Sequence, residues 1–290
     1  MLIITQLGRF TPDWVRVFIA KIIGILWYIA TPRRRVVIRE NLITIKGSVR
    51  ESEIRRTFIN FARIYSDVFN IPNMSSSYVQ SMVKPFHLDF LREGLDKGRG
   101  VILIGAHLGG VELAGSYLSS LGFPLYTVAE SKGPGMRFFR FYNRYREHFG
   151  NTILPLEERK LTFNLVKLLK KNKVVVLIAD RDIQGSGVDM KFFDRIASIP
   201  RGIILLSRRT GAPIVVGVAA LDPDSPRYLV RLFPPLYPED FDSADEMFTV
   251  MVDLLEKEIR LFPLQWFVFQ KIWKDNKREG KIRDEYSFCI

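Results

Sequence analysis

Cysteine is nearly absent: one thiol, Cys289, in 290 residues rules out an internal disulfide and any cysteine-built metal cluster. It fits a reducing compartment and is not placed for C-terminal prenylation, so we assign it no role. Three histidines, His87, His107 and His148, are too few for a multi-histidine metal site, and no metal is expected. The first residues lack the early positive charge and small-residue cleavage site of a secretory signal. No uncharged apolar run reaches the roughly 20 residues that a spanning helix needs. Linkers, repeats and low-complexity segments are also missing, which leaves a chain long enough for one sizeable core. Negative charge is in deficit, with 31 acidic against 43 basic residues and a net charge of +12. That balance favours an anionic partner, whether nucleic acid, an anionic membrane surface or a phosphorylated small molecule. The basic residues are spread over the chain and form no nucleic-acid-binding motif, so nucleic acid is not expected.

What is present is apolar and aromatic, with 47% hydrophobic residues and 22 phenylalanines. Trp14 to Ala30 is strongly apolar but interrupted by Arg16 and Lys21, and Arg33-Arg34-Arg35 and Arg39 follow it. An apolar helix with tryptophans and a basic flank reads as lying in a membrane surface; the alternative is a first helix packed on the core. The expected division is residues 1–34 as an N-terminal membrane-associated helix and 35–290 as one α/β domain. Helical spacing covers Glu51 to Phe69, and a further helix is expected over Phe86 to Lys97. Apolar runs at Val101–Ile104, Leu125–Glu130, Thr152–Leu156, Val174–Ala179, Pro213–Leu221 and Arg227–Phe233 alternate with helical segments. Such alternation predicts an α/β sandwich with a mostly parallel central sheet flanked by helices.

The chemistry concentrates at Val101–Gly115, where a buried-type strand ends in Gly105-Ala106-His107 and a helix opens after Gly109-Gly110. Open α/β sheets keep their ligands at such strand ends. Glu112 lies five residues after His107, and a sharp turn through the glycines would return its carboxylate to the imidazole, fixing the tautomer for general-base work. The plainer alternative bonds His107 to backbone and leaves Glu112 on a solvated face. Glu130, at the end of another strand, would sit beside His107 if the two strands were neighbours, with Arg144 or Arg146 as a cation on the following helix. Arg181, at the end of Val174–Ala179, offers a planar, permanently charged donor set for a phosphate or an oxyanion. Gly202, at a helix start, would bare backbone N–H groups to an anion.

Gly105-Ala106-His107-Leu108-Gly109-Gly110-Val111-Glu112 resembles the His-x4-Asp/Glu box of the glycerolipid and lysophospholipid acyltransferases. Further stretches, in order, are similar to the bacterial branch that holds the late lipid A acyltransferases and the phosphatidylinositol mannoside acyltransferases. They are Val128–Glu130, Phe141–Arg146, Ala179–Asp182 through Phe193, Ile199–Gly202, Thr210–Pro213 and Pro263–Val268 with Trp273. The likeness runs over roughly residues 35–275. Some members carry aspartate where Glu112 stands, a difference of about one methylene in reach.

The resemblance implies a glycerol-3-phosphate acyltransferase-like fold and a membrane-associated O-acyltransferase. In it, His107 held by Glu112 deprotonates a hydroxyl of a glycolipid, which attacks an acyl thioester. Glu130, Arg144, Arg146, Arg181 and Gly202 are the expected substrate-binding residues. No cofactor is implied beyond acyl-CoA or acyl-carrier protein as co-substrate. The expected setting is the cytoplasmic face of the bacterial inner membrane, peripheral or monotopic. Two rivals stand beside this reading: a non-catalytic lipid-surface protein on the same fold, and a thioesterase, although Gln184-Gly185-Ser186-Gly187 lacks the spacing of a nucleophile elbow.

Overall fold

A computed structural model describes residues 12–131 and 135–274; Cys289 lies outside them. Seven strands form the central sheet: β1 (Val83–Phe86), β2 (Val101–Gly105), β3 (Leu125–Ala129), β4 (Thr152–Pro155), β5 (Val174–Ile178), β8 (Ile214–Leu221) and β9 (Tyr228–Leu232). Their spatial order is β1-β9-β8-β2-β5-β3-β4. Five strands run parallel, and β9 and β1 run against them. A separate antiparallel hairpin pairs β6 (Val188–Phe192) with β7 (Arg195–Ile199). β2 is buried throughout because helices cover both faces of the sheet, which is why its sequence is continuously apolar rather than alternating.

One face carries α3 (Glu51–Asn70), α6 (Val111–Ser120) and α7 (Met136–Arg146); the other carries α8 (Leu161–Lys170), α9 (Gly202–Thr210) and α10 (Ala244–Leu261). The apolar stripe of α3 runs through Ile54, Phe58, Phe61, Ile64 and Val68, at the three- and four-residue spacing of a buried helix face. The helix stops at Ile71-Pro72-Asn73, where proline supplies no amide donor and the chain tightens into a 3-10 turn.

The N-terminal region differs from the expected division at residue 34. α1 (Asp13–Ala30) ends at Thr31, and α2 (Pro32–Lys46) leaves it at 99°. Arg33-Arg34-Arg35 therefore opens a second helix instead of trailing the first, with Pro32 suited to the first helical turn. α1 packs closely on α3: a Cβ at Gly24 would lie 2.6 Å from Ile59 Cα. Its other side is open, with Trp14, Phe18, Ile23, Leu26 and Ile29 exposed. Among the described residues no single helix is long and apolar enough to cross a membrane, although α1 and α2 together pass that test as a bent pair.

Two smaller differences concern Phe86–Lys97 and the 188–199 region. Val83–Phe86 joins the sheet as β1, and the helix α5 starts only at Asp89 and ends at Asp96. Downstream, β6 and β7 close a hairpin that stands apart from the alternating apolar runs.

Candidate active site

The chain leaves β2 and passes beyond β5 to reach β3; it leaves β5 and passes beyond β2 to reach β8. Adjacent strands whose connections depart in opposite directions open a crevice at their carboxyl ends. His107 follows β2 and Asp180 follows β5, so both fall in that crevice.

His107 Nδ1 lies 2.7 Å from Asp180 Oδ1, and the His107 backbone N–H donates to Asp180 Oδ2 at 2.9 Å. The indole N–H of Trp266 donates to the same Oδ2 at 2.7 Å. Asp180 is fully buried. Burial pushes its carboxyl up, but the His107 charge and these hydrogen bonds outweigh burial and hold it below the usual carboxylate range. An ionised carboxylate at Nδ1 keeps the proton of a neutral imidazole on that nitrogen, so Nε2 carries the lone pair. Nε2 has no hydrogen-bond partner among the described residues.

Two glycines shape the turn below the histidine. Gly109 has φ +61, and a Cβ there would stand 2.0 Å from the Ala219 carbonyl oxygen; a Cβ on Gly110 would strike the Tyr228 ring at 2.4 Å. Gly109 N–H donates to the Gln265 carbonyl, Gly110 N–H to Ala219, and Phe267 N–H to the His107 carbonyl. The segment around Trp266 thus runs alongside the turn and locks it from outside the sheet.

A cavity of about 420 Å³ opens at His107. Its wall is mainly apolar and draws on both faces of the sheet, with Leu103, Leu125 and Val176 on one and Leu161, Leu165 and Ile203 on the other. Glu112, Glu130, Arg146, Arg181 and Gly202 also line it, so the structure gathers most of the expected site residues.

Their partners differ from expectation. Glu112 receives two hydrogen bonds from Arg146, Nε to Oε2 at 2.9 Å and a second from the guanidinium to Oε1. The His107 ring is oriented by Asp180 and not by Glu112, because α6 turns Glu112 toward α7. Burial works to lower the Arg146 pKa, but the charge of Glu112 overrides it and the guanidinium is held more firmly ionised. It also stacks 4.4 Å from the Tyr142 ring centre. Glu130 is not beside His107, since β5 lies between β2 and β3. Its carboxylate stands 3.8 Å from Arg181, whose other amino group donates to Gln270 at 2.6 Å. Arg144 is exposed and does not line the cavity. Two residues apart on a helix point to opposite sides, so placing Arg146 inward turns Arg144 out. Asp182 accepts from the N–H groups of Gln184, Gly185 and Gly187 and from Ser198, holding a turn that leaves Ser186 exposed.

Asp180 and Trp266 fall within the family-like stretches Ala179–Asp182 and Pro263–Val268 but had no expected role in the site. The signal for Asp180 was its place after a buried apolar strand, the same place that singled out His107. Only the order of the strands shows that the two ends touch.

Across residues 1–275 the chain matches the family described as bacterial lipid A biosynthesis acyltransferase. The phosphatidylinositol mannoside acyltransferase of Mycolicibacterium smegmatis is 30% identical over 244 residues, which cover 81% of this chain and 78% of that protein. Its counterpart in Mycobacterium tuberculosis is 27% identical, over 84% and 78%. The lipid A biosynthesis lauroyltransferase of Escherichia coli is 24% identical, over 64% and 60%. Among solved structures, the 1-acyl-sn-glycerophosphate acyltransferase PlsC of Thermotoga maritima aligns with a TM-score of 0.44 and 14% identity, over 88% of this chain and 99% of that one. A family match that runs through every strand and helix described above leaves one assignment: the chain belongs to the bacterial lipid A biosynthesis acyltransferase family and is an acyltransferase.

Proposed function

We propose that the protein moves a fatty acyl chain from an acyl thioester, acyl-CoA or acyl-carrier protein, to a hydroxyl of a glycolipid. The observation that carries this reading is the His107–Asp180 pair at the mouth of a largely apolar cavity. His107 Nε2 takes the proton of the acceptor hydroxyl, and the oxygen attacks the thioester carbonyl. The resulting oxyanion collapses, the carbon–sulfur bond breaks, and the imidazolium returns its proton to the leaving thiolate. Arg181 and the α9 N-terminus at Gly202 bring positive charge to the cavity wall, where they suit an oxyanion or a phosphate. Glu112 acts by fixing Arg146 in that wall. The apolar lining suits a hydrocarbon chain.

The names of the relatives, phosphatidylinositol mannoside acyltransferase and lipid A biosynthesis lauroyltransferase, support the acceptor class. The exposed apolar side of α1 and the arginines opening α2 suit an anionic membrane surface. The reaction is then set at the cytoplasmic face of the bacterial inner membrane, with the protein peripheral or monotopic.

Acyl transfer in detergent tests the reading, with radiolabelled palmitoyl-CoA or acyl-carrier protein and a membrane lipid extract, wild type beside His107→Ala. A labelled lipid that disappears in the variant is expected. Label transfer that survives in His107→Ala removes the histidine from the mechanism. Free fatty acid as the sole product, formed without acceptor, would instead favour a thioesterase.

A further inference from the structure

On the face of α3, α6 and α7 the cavity wall carries, besides the Glu112–Arg146 pair, a buried amide that protein groups complete only on one side. Asn151, which precedes β4, is 6% exposed and lines the cavity. Its Oδ1 accepts from Thr127 Oγ1 at 3.1 Å, while Nδ2 reaches no acceptor among the described residues. Turning the amide over changes nothing: Thr127 then accepts from Nδ2, and Oδ1 is the open end. The nitrogen lies 3.6 Å from where a Cβ on Gly115 of α6 would be, and Gly115 lines the same space. An unpaired amide on an apolar wall is costly, and water completes it whenever the cavity is not filled to that depth.

The depth follows from the register. Thr127 and Leu103 both pair with Val176, so they stand at one level of the sheet. His107 is four residues beyond Leu103, which puts Thr127 about 13 Å down the strand direction from the histidine, at roughly 3.3 Å per residue.

We infer that Asn151 is a specificity-determining residue that sets the length of acyl chain the enzyme accepts; this rests on the acyl-transfer reading. A chain whose methyl end stops short of Asn151 leaves the amide its water. A longer chain strips that water and sets methylenes against an unpaired polar group. Gly115 keeps open the space through which the chain reaches this level, since any side chain there grows toward the amide.

The experiment uses the full-length protein in detergent with saturated acyl-CoAs of increasing even length. Two quantities are read at each length: kcat/KM for transfer, and affinity by displacement of a fluorescent fatty acid. Wild type should rise to a maximum and fall beyond it in both. Asn151→Leu, close in volume and without the amide, should move the maximum to longer chains and raise the ratio of longest to optimal chain about tenfold. Gly115→Val should move it to shorter chains, and it serves alone if Asn151→Leu does not fold. An unchanged length profile in folded variants, or an equal loss at every length, overturns the assignment. If wild type binds with the expected profile but transfers nothing, the acyl-transfer reading fails and the length-setting role stands. If transfer is robust and its profile ignores both variants, the role of Asn151 fails and the reaction stands.

Discussion

Trp266 donates its indole N–H to Asp180 Oδ2 at 2.7 Å, across 86 residues of sequence. That bond and the His107 backbone N–H occupy one carboxylate oxygen, leaving Oδ1 to face the imidazole. A buried carboxylate with every contact assigned has one orientation, and the ring it holds inherits it.

Asp180→Asn should lower kcat by about 10²- to 10⁴-fold, the usual contribution of a positioned general base. An asparagine keeps the shape but no longer selects the tautomer with Nε2 free. Steady-state transfer rates check this, and His107→Ala should fall at least as far. A loss confined to KM would show that Asp180 holds substrate instead.

Acid stability gives a second check on the same carboxylate. Its folded pKa is depressed, so its contribution is fully present above the unfolded value near 4 and is lost as pH falls through the lower folded value. Wild type should therefore lose stability more steeply than Asp180→Asn below about pH 4. Urea melts at pH 7 and pH 3 measure the difference, and parallel curves for the two proteins would contradict it.

The Glu112–Arg146 pair predicts a coupled pattern. Each side chain is less than one-fifth exposed, so Glu112→Gln or Arg146→Met alone leaves a poorly solvated charge and should cost about 3 kcal/mol. The double variant should regain much of that loss. Thermal melts of the four proteins form the cycle, and additive losses would show that the two groups act separately.

Gly109→Ala should be the most damaging glycine-to-alanine substitution among the described residues. The added carbon would sit 2.0 Å from a carbonyl oxygen that belongs to β8, and the left-handed φ opposes any side chain. Gly122→Ala, with φ +87 and open space around it, meets only the second penalty, about 1–2 kcal/mol. Comparing their yields of soluble protein and melting temperatures separates crowding from backbone strain.

On α1, Phe18→Ser and Leu26→Ser remove side chains that are 58% and 59% exposed, so folding should hardly change. Each should weaken partition onto anionic vesicles by about tenfold or more, given roughly 1.5–3 kcal/mol for burying such a side chain. Cosedimentation with vesicles at fixed salt reads this. Unaltered partition would move the membrane contact away from α1.

The elements most directly legible in the sequence are the strands in the middle of the sheet. Val101–Ile104, Val174–Ile178 and Pro213–Leu221 are apolar without interruption because helices cover both their faces. β1 and β7 escaped notice because Lys84-Pro85 and Arg195–Ser198 mix charge with apolar residues, as edge and hairpin strands do. α2 was hidden by its arginines, two of which, Arg34 and Arg35, stack on Trp27 and Tyr28 of α1, on the side where Ile38 and Leu42 are buried. Within the site, His107 stood out through its strand end and its motif. Asp180 had the same local signature, yet its meeting with His107 depends on β5 inserting between β2 and β3, and no local pattern records strand order. Arg144 and Arg146 show the same limit on a smaller scale: the sequence offers two cations, and the packing of α7 selects one.

Trp27 on α1 packs against Phe58, Phe61 and Phe269, and the amides of Asn41 and Asn60 bind the carbonyls of Val268 and Leu264 on either side of Trp266. The segment that fastens the Asp180 carboxylate is thus roofed by the N-terminal helices. Trimming those helices to obtain a more tractable protein would unroof Phe269 and slacken the grip on Asp180. Such a truncation should yield material that dissolves readily and has lost the rigidity its histidine depends on.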